Sequence, residues 1–105
     1  VPASDIRYIE VDHIYTTVHL RDGRSLVVRE GLRSWERRLP AVFVRVHRGC
    51  IVNLLEAESM EAREHRWVLR LRGDGHELPV SRRRAQSIKT DLQAILDGTA
   101  SAPLR

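Results

Sequence analysis

Three side chains that could bind a polyanion or a base lie within four residues, in the segment FVRVHRGCIVN from Phe43 to Asn53. The segment begins with the alternation of a β-strand and then breaks at Arg48 and Gly49. A strand that faced only its own core would have no use for Arg45, His47 and Arg48. The planar guanidinium fork can grip phosphates and guanine edges. The alternatives are a buried His47 that buttresses the turn and a solvated loop arginine at position 48. We expect Gly49 to give this turn an unusual backbone geometry.

A second cationic cluster, Arg82, Arg83 and Arg84, follows Ser81, which is a suitable N-cap residue for a helix. Cations in the first turn oppose the helix dipole and cost about 0.3–1 kcal/mol each at low salt. The cluster becomes favourable if an anion binds there, since helix amides and guanidinium groups both point at it. The alternative is three solvated arginines whose head groups turn away.

Catalytic and metal chemistry have weaker support. His47 and Cys50 could form a thiol–imidazole pair, but no third group is placed to orient it. The histidines, including His13 and His19, lack the spacing of metal ligands. Cys50 is the only cysteine, which fits a reducing compartment, and it reads as a small buried hydrophobe or, alternatively, as a reactive thiol.

Composition limits the class of protein but does not identify its function. The chain has 105 residues and a formal net charge of +4, so a single basic domain is expected. All but one of the cations are arginine, the exception being Lys89. This balance suits nucleic-acid binding and a merely basic domain about equally. No signal peptide or apolar run of about 20 residues is present, and the start at Val1 suggests a domain of a longer protein.

The elements that must position these residues are mostly strands. Residues 6–11, 14–20 and 25–29 predict three strands, and the Asp22-Gly23 turn predicts a hairpin. Residues 31–39 predict a short helix with Leu32, Trp35 and Leu39 on its buried face. Two short strands around an irregular turn are predicted over 42–54. Residues 55–64 favour helix by propensity, but their position between strands favours a strand.

The remaining segments complete the pattern. Residues 65–72 and 77–80 predict strands, the second of them at an edge because it carries Pro79. A helix is predicted from Ser81 to Asp97-Gly98, with Ala85, Ile88, Leu92 and Ile95 on one face. We predict one domain over residues 1–98 and a flexible C-terminal tail over 99–105.

Three ordered motifs make the sequence resemble the LytTR domain, a DNA-binding module of bacterial response regulators. FVRVHRGCIVN is similar to the family's Phe-x-Arg-x-His-Arg-Ser-x-x-Val-Asn, and LPVSRRRAQSIKTDL to its Pro-Val-Ser-Arg followed by a helix. IRYIEVDHIYTTVHLRDGR resembles the opening hairpin of the family. The resemblance covers roughly residues 5–93, and Gly49-Cys50 departs from the usual Ser-Tyr.

The resemblance implies a mostly β fold, an elongated stack of small antiparallel sheets with a short internal helix and a C-terminal helix. It also implies sequence-specific binding of double-stranded DNA by loops and turns that enter successive major grooves. Base contacts would come from Arg48, from Arg82 and from a position at or near His13. Contacts to the DNA backbone would come from Arg45, His47, Arg83 and Arg84.

Family membership would further imply paired direct repeats, two copies per operator, a regulatory domain elsewhere in the parent chain, and a cytoplasmic location. No cofactor, enzymatic activity or membrane contact is expected. The alternative is a basic module that binds protein or RNA without reading DNA sequence. Aromatic residues are few, and Trp35 and Trp67 fall on apolar faces, which argues against the stacking platform of a single-strand RNA reader.

Overall fold

The first half of the chain folds into a five-stranded antiparallel sheet. In the computed structural model, which describes residues 1–98, its strands are β1 (Ile6–Asp12), β2 (Tyr15–Leu20), β3 (Ser25–Val28), β4 (Phe43–His47) and β5 (Cys50–Asn53). They lie in the order β3-β2-β1-β5-β4. The predicted hairpin forms between β2 and β3, where Gly23 has a φ of 92° that favours glycine. The predicted tail, residues 99–105, lies outside the described residues.

The short helix α1 (Leu32–Arg38) covers one face of this sheet, as the spacing of its apolar residues predicts. Leu32 is buried against Ile9, Val18 and Ile51, and Trp35 and Leu39 pack at the margin of the same cluster. The helix ends where Leu39 donates its amide to the carbonyl of Trp35, directly before Pro40.

The second sheet has three strands, β6 (Ala57–Arg63), β7 (Arg66–Leu71) and β8 (Glu77–Val80), in that order. The prediction of a strand over most of 55–64 is therefore confirmed against its helical propensity. Pairing decides the outcome, because β6 aligns Met60 with Leu69 and Ala62 with Trp67 on β7. Pro79 lies on β8, an edge strand, where its missing amide costs no ladder bond.

The main core lies between the two sheets and the C-terminal helix α2 (Arg82–Leu96). Ala85, Ile88 and Leu92 of α2 are buried there, as their spacing predicts. Leu69 and Leu71 from β7 are fully buried in the same cluster, and each contributes about 1.5–3 kcal/mol by leaving water. The five-stranded sheet therefore has a core on both faces, with α1 on one side and the second sheet and α2 on the other.

One expectation about shape is wrong. The molecule measures 34 × 30 × 27 Å along its principal axes, so it is not the elongated stack that the resemblance implies. The fold class itself, mostly antiparallel β with two α-helices, is confirmed. The second sheet and α2 pack on the same face of the first sheet, where residues of all three share one buried cluster. Within residues 1–98, no helix is long and apolar enough to cross a membrane.

Asn53 closes the segment FVRVHRGCIVN and ties two parts of the fold together. Its side chain is buried, with 3% exposure. The amide Nδ2 donates to the carbonyl of Ile6 at 3.0 Å, and Oδ1 accepts from the amide of Leu55 at 3.0 Å. The asparagine therefore caps the short turn Leu54–Glu56 that leads from the first sheet to the second. This contact explains physically why asparagine suits the end of the motif.

Candidate nucleic-acid interface

The turn between β4 and β5 exposes Arg48. The pairing shifts register between Arg45 and His47, so the chain turns at Arg48 and Gly49 and resumes in β5. Arg48 is exposed, and the structure gives its guanidinium no hydrogen bond or ion pair with any residue of 1–98. The sequence prediction of an interruption that presents this side chain is consistent with the turn that forms.

Arg45 and His47 support this turn. Arg45 donates one amino group to Glu36 Oε1 on α1 at 2.8 Å and the other to the carbonyl of Arg48 at 2.7 Å. His47 accepts at Nδ1 from the amide of Gly49 at 3.0 Å. Burial lowers the pKa of His47, and the nearby charges of Arg45 and Arg48 lower it further, against an opposing effect of Glu10. The lowered pKa favours the neutral imidazole that this hydrogen bond requires.

Gly49 does not adopt the unusual backbone geometry that the sequence suggests. Among residues 1–98 the glycines with positive φ are Gly23, Gly73, Gly75 and Gly98. Instead, a Cβ at position 49 would lie 3.3 Å from Cε1 of His47 and 3.7 Å from Cγ1 of Val11. The glycine therefore lets the turn pack closely against the imidazole that supports it.

Helix α2 begins beside this turn because of one main-chain hydrogen bond. The amide of Ser81, directly after β8, donates to the carbonyl of Val46 on β4 at 2.7 Å. Ser81 occupies the N-cap position, but its hydroxyl makes no capping bond and is buried without a partner. The expectation that its side chain caps the helix is therefore wrong, because the residue is held by its amide.

Arg82, Arg83 and Arg84 are exposed on the first turn of α2, which contains no acidic residue. Arg82 donates to the carbonyl of His65 at 3.4 Å, and Arg84 to the carbonyl of Arg45 at 3.5 Å, both long contacts. These contacts orient two of the three guanidinium groups without neutralising their charge. The first turn of α2 therefore keeps its positive charge available for an anion.

The turn between β1 and β2 presents His13 at the same end of the molecule. The amide of Val11 donates to the carbonyl of Gly49 at 2.9 Å, which joins this part of β1 to the β4–β5 turn. His13 has a φ of 60°, and its side chain is 88% exposed. Its Nδ1 lies 2.7 Å from Asp12 Oδ1. Because an ionised carboxylate can only accept, Nδ1 is the donor, and in a neutral ring Nε2 is then an acceptor.

The structure thus collects the predicted residues at one end of the fold. His47, Arg48, Ser81, Arg83 and Arg84 line a single cleft of about 350 Å³. The β6–β7 turn, which sequence reasoning missed, lies next to them because His65 supplies the acceptor for Arg82. Its two residues, Glu64 and His65, have φ values of 47° and 72°. Neither is asparagine or glycine, so the sequence carries no turn signal there.

Arginines at the two ends of the fold differ in their partners. At the far end, Arg7 pairs with Asp74 at 3.0 Å and Arg21 with Glu56 at 3.2 Å. Within residues 1–98, no acidic side chain pairs with Arg48, Arg82, Arg83 or Arg84. These four arginines therefore carry positive charge that no acidic side chain of the described residues neutralises by direct pairing. Such a surface attracts phosphate.

The thiol has the environment of a structural cysteine. Cys50 is 1% exposed, and burial raises its pKa to about 12. A thiolate, which is the reactive form, is therefore strongly disfavoured at neutral pH. Among residues 1–98, no three His, Cys, Asp or Glu side chains are grouped closely enough to hold a metal ion.

Comparison with known proteins places these observations in a family. The family model of the LytTr DNA-binding domain matches residues 1–93. A solved structure, the LytTr DNA-binding domain of a protein assigned as a methyl-accepting/DNA response regulator from Bacillus cereus, is 27% identical with a TM-score of 0.77. The match covers 89% of this chain and 84% of that one. No curated protein matches the chain. Since the family model covers most of the chain, the protein belongs to the LytTR family of DNA-binding domains.

Proposed function

We propose that this domain reads a specific sequence in double-stranded DNA and regulates transcription as the output domain of a bacterial regulator. The observation that carries the proposal is the grouping of three turns by two main-chain hydrogen bonds, Ser81 to Val46 and Val11 to Gly49. The side chains at these three places are those of Arg48 and His13, on two turns, and of Arg82, on the first turn of α2. In the proposal they enter successive major grooves, and no recognition helix is used.

Arg48 and Arg82 supply bidentate contacts to guanine. Each guanidinium can donate two parallel hydrogen bonds to O6 and N7, and each such pair discriminates against other bases by about 1–3 kcal/mol. The guanidinium of Arg48 has no hydrogen bond or ion pair within residues 1–98 that it would have to give up. Arg82 would exchange only its 3.4 Å contact with the carbonyl of His65.

His13 recognises an exocyclic amino group. Nδ1 of His13 donates to Asp12, so in the neutral form of the ring the exposed Nε2 accepts a hydrogen bond. In the major groove the amino donors are N4 of cytosine and N6 of adenine. For the neutral ring, the proposal therefore assigns cytosine or adenine to the position that His13 contacts.

Contacts to the DNA backbone set the orientation of the domain. Arg83 and Arg84 on the first turn of α2 contact phosphates, where helix amides add to the attraction. Arg45 and His47 support the β4–β5 turn and complete the phosphate contacts at its edge. These contacts carry no sequence information and make the affinity depend on salt.

The assembly follows from the same surface. Two copies of the domain occupy paired direct repeats on one operator, and a regulatory domain elsewhere in the parent chain controls their access to it. The protein acts in the cytoplasm and is not an enzyme, in keeping with a family of DNA-binding domains. Residues 1–98 form the binding module.

The described fold gives the RNA-binding alternative no stacking platform. Among the aromatic residues, all of which fall within 1–98, only Tyr15 is largely exposed. Trp67 packs against the main core under Lys89, and Trp35 packs against the smaller core under Arg38. Readers of single-stranded RNA need several exposed rings on one surface.

Selection of bound fragments from a random duplex pool tests the proposal. We expect one enriched sequence with repeated half-sites. Arg82→Ala should lower the affinity for that duplex by about 5- to 150-fold, which corresponds to about 1–3 kcal/mol. The affinity for a scrambled duplex should fall much less. Arg83→Ala is the matched control and should weaken both duplexes equally. Failure to enrich any duplex, or tighter binding to single-stranded RNA of the same sequence, would overturn the proposal.

A further inference from the structure

Helix α1 carries two exposed arginines that no part of the proposed readout uses. Arg33 and Arg37 lie one turn apart, and neither has a hydrogen bond or ion pair with another residue of 1–98. Like charges at this spacing destabilise a helix by about 0.2–0.5 kcal/mol. A helix of seven residues is short enough for such a cost to matter.

The acids that could neutralise this pair are already engaged. Glu36 of α1 accepts from Arg45 at 2.8 Å. Glu30, just before the helix, accepts from Arg38 at 2.6 Å and from the hydroxyl of Ser34 at 2.7 Å. The outer surface of α1 therefore keeps the positive charge of Arg33 and Arg37.

This surface borders the candidate interface. Glu36, Arg45, Arg83 and Arg84 line one cleft of about 330 Å³ between α1, β4 and α2. Arg83 and Arg84 also line the cleft beside Arg48. The two clefts therefore adjoin at the first turn of α2, and α1 contributes Glu36 to the lining of one of them.

Helical geometry places the two arginines next to the flank that carries Glu36. Around the helix axis, Arg33 lies about 60° and Arg37 about 100° from Glu36, so both lie on the outer, solvent-facing surface of α1 beside that flank. The opposite flank carries Arg38, which stacks 4.5 Å over the Trp35 ring. The unpaired charges therefore extend the surface formed by Arg48, Arg83 and Arg84.

We propose that Arg33 and Arg37 form a second phosphate-binding surface, which contacts the backbone of the same duplex beyond the base pairs that the turns read. The inference rests on the proposed DNA-binding function and extends its footprint to α1. The partner is duplex phosphate, because the arginines offer charge without an apolar or aromatic surface for any other ligand. They add affinity and leave the base preference unchanged.

The test compares two double variants that remove the same charge. Arg33→Gln/Arg37→Gln changes α1, and Arg21→Gln/Arg24→Gln changes the β2–β3 turn at the far end of the sheet. Affinity for the selected duplex and a scrambled duplex is measured by fluorescence anisotropy from 50 to 200 mM salt. Loss of two phosphate contacts lowers the salt slope by about 1.8, so the α1 variant should lose about tenfold less affinity than wild type across that range. The control should follow wild type.

Ethylation interference locates the contacts independently. Wild type should show interfering phosphates outside the positions where bases are read. These phosphates should no longer interfere in the α1 variant, and thermal melts should show that both variants are folded at the assay temperature. An unchanged slope, or equal changes in both double variants, would overturn the assignment of α1 while leaving the base contacts in place. If wild type binds no duplex, the proposed function and this inference both fail.

Discussion

Replacement of Arg48 by alanine distinguishes two possible roles of this residue. It either contacts a base or holds the β4–β5 turn in place. Because Arg48 is exposed and its guanidinium has no partner among the described residues, its removal should change the free energy of unfolding by less than about 0.5 kcal/mol. On the selected duplex the loss should be about 1–3 kcal/mol, a factor of about 5 to 150, if the guanidinium pairs with guanine. Binding to a scrambled duplex should fall far less, since one cation of many is gone.

Arg45→Ala is the matched comparison three residues earlier. This side chain is only 21% exposed and holds both Glu36 and the carbonyl of Arg48. Its removal should cost about 1–3 kcal/mol of folding stability, which lowers the melting temperature of a domain of this size by at least about 4 °C. The two variants should therefore differ most in thermal stability, although both weaken DNA binding.

The assay is a specificity profile over all single-base variants of the selected duplex, with a thermal melt of each protein. Arg48→Ala should flatten the preference at one base position and leave the other positions unchanged. The reasoning is refuted if Arg48→Ala lowers the melting temperature as Arg45→Ala does and weakens every duplex equally. That result would make Arg48 part of the support of the turn.

Three further outcomes follow from the described contacts. Cys50→Ser should cost about 1–3 kcal/mol, because a hydroxyl would replace a buried thiol, and wild-type thiol should resist alkylation at pH 7 in the folded state; rapid labelling of folded protein would contradict this. Ser81→Ala should leave the melting temperature unchanged or slightly higher, since the hydroxyl is buried without a partner, whereas a drop of several degrees would restore the capping role. His47 has a lowered pKa in the fold, so its stabilising contribution is complete above its ordinary value of 6.5 and is lost as the pH falls below it; denaturant titrations of wild type and His47→Gln should show this pH dependence only in wild type.

Local signals predicted most of the elements. The Asp22-Gly23 turn, the apolar spacing of α1 and that of α2 each belong to one segment, and each formed as expected. Residues 57–63 formed a strand only because β7 supplies its pairing partners. That pairing depends on residues far along the chain, so local propensity points the other way.

The sequence indicated which residue types form the candidate site, but not the contacts that position them. Arginines at a broken strand and at the start of a helix drew attention to Arg48 and Arg82 without any structure. The contact between Arg82 and His65 joins residues 17 positions apart, and the bond from Ser81 to Val46 uses main-chain atoms that every residue type except proline offers. Sequence patterns carry no trace of such bonds, which also explains why the role of Ser81 was misjudged.

The bond from Ser81 to Val46 has a consequence for how regulators of this kind diversify. It fixes the separation between the β4–β5 turn and the start of α2, and it involves no side chain. If Arg48 and Arg82 read bases as proposed, substitutions at positions 48 and 82 should change the preferred bases while the distance between the contacted base pairs stays constant. Operators of divergent relatives would then differ in base sequence and agree in the distance between the contacted base pairs. Ser81→Pro removes the amide donor and is the single substitution at that position that should let the distance between the β4–β5 turn and the start of α2 vary.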